Sequence, residues 1–271
     1  MKKSQNWRYV PLLLALLLLG GCTLSRFEPM EEAQQKEEDK NRLMVQAAEV
    51  SPESMTADDL VFERVMKSDS GVVLASYEAR VPQFVEDGAK SGVFQNINAF
   101  YKQESEAFAA DCEWVFLTLQ KELGAGWNNI VEERQAVTSV FDYETQTVDG
   151  RYLSVVRDYV YTDSAGRSTV HYYAELFDLS TGWKLKFADL FGKNAAEAQA
   201  AVIDELAAWC EKNGLAFDTR ESIAADQLLA EFTLQENELV LCLEPFALSA
   251  DDAEGRVAHL PLSAFAGWMK E

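Results

Sequence analysis

The stretch STVHYYAELFDLSTGWKLKFADLF, residues 168–191, reads as strand, turn, strand and a short helical knuckle, and the rest of the chain is organised around it. Thr169, His171, Tyr173, Glu175 and Phe177 alternate with Val170, Tyr172, Ala174, Leu176 and Asp178. A period of two with aromatic and β-branched content predicts an extended strand. Asp178, Ser180 and Gly182 supply turn chemistry, because short polar side chains bond the nearby backbone and glycine tolerates positive φ. Residues 183–186 are expected to resume the strand, and Phe187, Leu190 and Phe191 to close it at helical spacing.

Upstream, residues 131–145, 151–161 and 168–179 are separated by Asp149-Gly150 and by Ser164-Ala165-Gly166, both turn signals. An antiparallel meander is therefore predicted, with the opening stretch as its third strand. Residues 60–66 and 72–81 flank a polar turn and predict a hairpin. Between hairpin and meander, Phe94, Ile97, Tyr101, Phe108, Cys112, Val115, Phe116 and Leu119 recur at helical spacing, which predicts one long helix over 88–124 with a single buried stripe.

Downstream, a second helix is expected to begin at Asn194 as its N-cap, with Val202, Ile203, Leu206, Trp209 and Cys210 inward and Gly214 just past its end. Residues 222–229 suggest a further turn or two of helix. Residues 232–234 and 239–243 predict a last hairpin, 257–260 a short strand, and 261–265 a closing helical turn with Pro261 early in it. The fold class is α+β, with antiparallel sheets, hairpin and meander, packed against a long helix and a second helix. The expected division is 1–21 signal, 22–58 anchor and tether, 59–145 an N-terminal region and 146–271 a C-terminal region.

The N-terminus carries Lys2, Lys3 and Arg8, then an apolar run over residues 10–19. That run is short of the roughly 20 residues needed to span a bilayer, and predicts a signal peptide. Leu19-Gly20-Gly21-Cys22 resembles the bacterial lipobox. The resemblance implies that Cys22 becomes the lipidated first residue, anchoring the chain at the outer face of the plasma membrane. Several acyl chains make such an anchor stable. From residue 23 to about 58 the chain is polar and charged, which predicts a tether.

The 271 residues carry 24 basic and 45 acidic side chains, a formal charge of -21, and are 48% hydrophobic. Loss of the first 21 residues removes three positive charges and takes -21 to -24. Such a body repels nucleic acid and favours a cationic partner. Beyond Cys22, the cysteines are Cys112, Cys210 and Cys242, with no C-x-x-C pair. Cys112 and Cys210 fall on apolar helix faces, so buried thiols are expected.

The histidines are His171 and His259, neither in a nucleophile motif, and each is expected to be a packed or surface imidazole. H-E-x-x-H, P-loop and G-x-G-x-x-G patterns are not found. No cofactor and no metal are therefore expected, and the 251–255 cluster lacks EF-hand spacing. With so many acidic residues, a chance pair able to act on a glycosidic bond carries little weight. The candidate ligand contacts are the strand aromatics Tyr159, Tyr161 and Tyr172, able to stack on sugars or enter a protein interface, and Asp251, Asp252 and Glu254 of the acidic loop.

Three pieces carry a family resemblance: residues 77–83 before the long helix, residues 173–182 with Leu190-Phe191, and Pro245-Phe246 leading to the terminal strand and Pro261-Leu262-Ser263. Over roughly 72–265 the chain resembles the paired extracellular domains of the RsiV anti-sigma factor and of PdaC-type peptidoglycan deacetylases. The resemblance implies a non-catalytic receptor or accessory region. In the anti-sigma factor that region binds lysozyme, so a cationic protein of that type is the expected partner, with a cell-wall ligand as the other. A polysaccharide-modifying enzyme and a structural assembly lipoprotein are the remaining functional classes.

Overall fold

The computed structural model describes residues 57–85, 91–218 and 228–269. The expected signal segment, Cys22 and most of the tether lie outside the described residues, as does most of the expected 222–229 helix. The first two strands, β1 (Ala57–Lys67) and β2 (Val73–Phe84), form the expected antiparallel hairpin. Helix α1 (Ser91–Leu123) follows, then a 3₁₀ turn over Trp127–Asn129. Strands β3 (Val137–Val148), β4 (Tyr152–Thr162) and β5 (Ser168–Asp178) make the expected antiparallel meander.

Hairpin and meander join into one five-stranded sheet in the order β1-β2-β3-β4-β5. The joint is β2 with β3, which pair in parallel over Ala75–Ala79 and Val137–Phe141 because α1 carries the chain back between them. The expected boundary between residues 145 and 146 lies inside β3. β3 starts at Val137 and not at residue 131, since Glu132, Glu133, Arg134 and Gln135 break the alternation and Val131 is exposed.

After β5, residues 183–186 do not resume a full strand. Asp178 N–H donates to the Trp183 carbonyl (3.1 Å) and Leu185 N–H to the Leu176 carbonyl (2.7 Å), a single bridge. The chain then leaves the sheet because Asp189 caps the next turn, its Oδ2 accepting from Lys186 N–H at 2.8 Å. That turn is α2 (Phe187–Phe191), which buries Phe187, Leu190 and Phe191. A 3₁₀ turn over Gly192–Asn194 runs straight into α3 (Ala195–Lys212), so Asn194 does not cap it with its side chain. Its Nδ2 donates to the Trp268 carbonyl instead (3.4 Å). At the other end Gly214, with φ 68°, permits paired bonds from Gly214 N–H to Glu211 and from Leu215 N–H to Cys210. These satisfy carbonyls that the helix end leaves open.

A second sheet of β6 (Phe232–Gln235), β7 (Glu238–Leu243) and β8 (Arg256–Pro261) is antiparallel in that order. A 3₁₀ turn over Leu262–Ala264 closes it after Pro261. The hydrophobic interior has distinct parts. Under α1, Ile97, Tyr101, Val155 and Phe177 form one cluster, and Tyr77, Cys112, Phe116 and Val137 another. On the other side of the sheet, Tyr152 and Leu176 pack with α2, α3 and the second sheet. Cys112, Cys210 and Cys242 are buried free thiols. Among the described residues no helix is long and apolar enough to cross a membrane.

Candidate functional site

Strand alternation assigns every residue of the large sheet to one of two faces. Tyr77 and Phe141 touch Phe108 of α1, and Tyr159 also meets Phe108, so the odd-numbered residues of β2 from Ala75 to Val81, and those of β3 and β4, face the helix. In β5 the same face takes His171, Tyr173 and Phe177, through contacts with Tyr159, Phe141 and Tyr101.

Beneath α1 this face holds a charged centre. Arg157 is 3% exposed and Glu175 0%. Arg157 Nε donates to Glu175 Oε1 at 3.0 Å and its Nη2 also bonds that carboxylate. Nη2 donates as well to Glu104 of α1 (3.1 Å), and Tyr101 O–H donates to Glu175 at 3.3 Å. The guanidinium sits over the rings of Phe141 (4.8 Å), Tyr173 (5.5 Å) and Tyr101 (5.6 Å). Arginine suits this box, since its planar cation stacks on rings while its fork bonds a carboxylate. Burial opposes the Arg157 charge, and the Glu175 and Glu104 carboxylates more than offset it, holding the guanidinium protonated. Burial, then the Glu175 charge, pushes the Tyr101 phenol well up.

Neighbouring groups tie this centre to the C-terminal layer. The Thr233 hydroxyl bonds Ser154 Oγ (2.7 Å) and reaches the Glu175 carbonyl (3.1 Å). Along the edge of β5, Ala174 N–H donates to Glu231 Oε2 at 3.1 Å, and Lys184 Nζ lies 3.6 Å from the same carboxylate. Burial raises the Glu231 pKa, with Lys184 acting against that shift. His171 Nδ1 lies 2.8 Å from Glu244. Around Ala174 the outer edge of β5 is thereby covered, which removes that part as a template for another strand.

The expected contact residues do not all converge. Tyr159 and Tyr161 lie half-buried on the helix side, Tyr159 among Phe108, Phe141 and His171. Burial, then Asp163, pushes the Tyr161 phenol up to about 12. Tyr172 is on the opposite face, where it borders the acidic loop: a Cβ on Gly255 would lie 3.5 Å from its ring and 2.6 Å from the Val170 carbonyl. In that loop Asp252 and Glu254 both pair with Arg256, at 2.8 and 3.1 Å, and Asp251 is exposed. The bond from Arg256 holds the Asp252 carboxyl below its ordinary range. Among the described residues no group of three or more His, Cys, Asp or Glu side chains is placed to hold a metal.

Arg157 and Glu175 were not among the expected residues, although alternation marks them. Arg157 shares a face with Leu153, Val155 and Tyr159, and Glu175 with Tyr173 and Phe177. A charge at an inward position of an apolar strand needs an internal partner, and these two supply each other.

No protein-family model matches the chain, and no match was found among curated proteins. Among solved structures it is similar to a member of the DUF3298 family from Bacteroides fragilis, with 10% identity and a TM-score of 0.49, covering 80% of this chain and 94% of that one. It is likewise similar to a DUF3298 family protein from Pseudomonas aeruginosa, with 11% identity, a TM-score of 0.49 and the same coverage of 80% and 94%.

Proposed function

We propose that this chain is a lipid-anchored envelope protein, held by Cys22 at the outer face of the plasma membrane, that works by binding and not by catalysis. Its ligand in this reading is a cationic protein of the lysozyme class. The observation that carries the proposal is how charge is spent. Cations are drawn into local pairs, Arg157 with Glu175 and Glu104, Lys184 with Glu231, Arg256 with Asp252 and Glu254. The body as a whole retains the large acidic excess that takes its formal charge from -21 to -24 once the three N-terminal cations are removed. A surface of that sign attracts basic proteins and raises their association rate, with an effect that salt weakens.

The test uses the mature chain from residue 22, carrying Cys22→Ser and immobilised, with lysozyme passed over it at low and high salt. Saturable binding that weakens steeply with salt is expected, and no binding at low salt overturns the proposal. The anchor is checked separately: the natural chain is expected in the membrane fraction, labelled by exogenous fatty acid, and Cys22→Ser to lose both properties.

A further inference from the structure

The face of the large sheet turned away from α1 is covered only in part. Ser154 and Leu176 lie under the C-terminal layer, through Thr233 and the α2–α3 cluster. Farther along the same strands the face is open. Val61, Val65 and Val140 are 46%, 48% and 40% exposed. Pairing places them on this side, since Val61 stands opposite Arg80, Val65 opposite Ser76 and Val140 opposite Glu78 and Val160.

Carboxylates stand among these valines in like-charged cross-strand pairs. Glu63 is directly opposite Glu78, and Asp142 is directly opposite Asp158. Like charges facing each other across strands destabilise a sheet. Arg80 answers one of them, its Nη1 bonding both oxygens of Asp142 at 3.0 Å. Glu144 lies on the same face, one step along β3. Burial first, and then Asp142, pushes the Asp158 carboxyl above its ordinary range. At the β5 end the row from Asp158 reaches Tyr172 and the loop around Gly255. Five strands at about 4.8 Å spacing make this face about 19 Å wide.

Resting on the proposed function, and locating it, we infer that this open sheet face is the docking surface for the cationic partner. The exposed valines offer apolar contact, which a metal ion cannot use and which the short methylene spacers of a small polyamine use only in part. The carboxylates between and beside the valines favour lysine and arginine interspersed with that surface. A basic folded protein meets both demands, with apolar and charged contacts side by side.

The test compares three mature chains carrying Cys22→Ser, titrated with lysozyme at low salt. The first has no further change. The second carries Glu63→Gln, Glu78→Gln, Glu144→Gln and Asp158→Asn, which spares the Arg80–Asp142 pair. The third carries Glu106→Gln, Glu122→Gln, Glu197→Gln and Glu211→Gln, the same change in charge at exposed helix positions. The face variant is expected to bind about tenfold more weakly or worse, and the helix variant within about twofold of the parent. It is also expected to melt no lower than the parent, because the opposed charges cost stability. Equal losses in the two variants overturn the face as the docking surface while leaving charge-driven binding in place. A lowered melting temperature in the face variant also overturns it, since the carboxylates then serve the fold. Failure of the parent to bind overturns the proposed function itself, and the occupant with it.

Discussion

The two faces of one sheet treat charge in opposite ways. On the side under α1, Arg157 and Glu175 are almost fully buried, bonded to each other and boxed by rings. On the open side Glu63 confronts Glu78 and Asp142 confronts Asp158, with Arg80 placed against Asp142. The backbone is the same for both faces, so the difference lies in solvent access. A buried charge without a partner is too costly to keep, whereas a half-exposed one loses only a fraction of a kcal/mol to a like neighbour. The closed face is thus constrained by folding, and the charges of the open face are not held by that constraint.

Breaking the closed face gives the largest expected effect. Arg157→Met leaves Glu175 buried beside Tyr101 without its cation, and is expected to cost about 4 kcal/mol in chemical denaturation. Combining it with Glu175→Leu removes the stranded charge, and the double variant is expected to recover most of that loss. If the double variant is no more stable than Arg157→Met, the pair is not the unit that the geometry indicates.

Next comes Phe177, 1% exposed and packed on Phe100 and Tyr101. Phe177→Ala is expected to destabilise the protein by about 3 kcal/mol, because the ring leaves a cavity that its neighbours fill only in part. Unchanged thermal unfolding would contradict its place in the core.

A backbone contact locks this region. Gly182 has φ 76°, and a Cβ there would meet the Val93 carbonyl oxygen of α1 at 2.2 Å. Gly182→Ala is therefore expected to cost about 2 kcal/mol through strain and displacement of the first turn of α1. Asn96 Nδ2 donates to the Thr181 carbonyl at 2.9 Å across the same joint. A loss of melting temperature in Gly182→Ala that Asn96→Ala does not share in kind would assign the joint to backbone fit more than to that bond.

These residues also show what sequence can disclose. The period-two alternation over residues 168–178 and the helical stripe from Phe94 to Leu119 identify β5 and α1, because each repeats one local geometry. The parallel pairing of β2 with β3 has no such repeat, since it depends on where a helix of 33 residues returns the chain. The same limit applies to the candidate contacts. Composition singles out Tyr159, Tyr161 and Tyr172 alike, yet strand parity sends the first two under α1 and the third to the open face. Parity is readable in a strand, but which face remains uncovered is decided by the distant second sheet. The opposed carboxylates are still less visible, for Asp142 and Asp158 meet only through the β3–β4 register.

The smallest expected effect has the opposite sign from the others and tests the open face directly. Asp158→Asn removes one of two facing charges, and is expected to stabilise the protein by about 0.5 kcal/mol at neutral pH. The native Asp158 carboxyl holds its proton more tightly than an unfolded one, because burial and then Asp142 disfavour its charge. A folded pKa above the unfolded value means that the penalty is present in full above the folded pKa and disappears as pH falls through it towards the ordinary range. The gain from Asp158→Asn should therefore shrink on acidification, measured as the difference in denaturation midpoint between variant and parent. A gain that stays constant with pH would trace to packing and not to charge, and would weaken the contrast between the two faces.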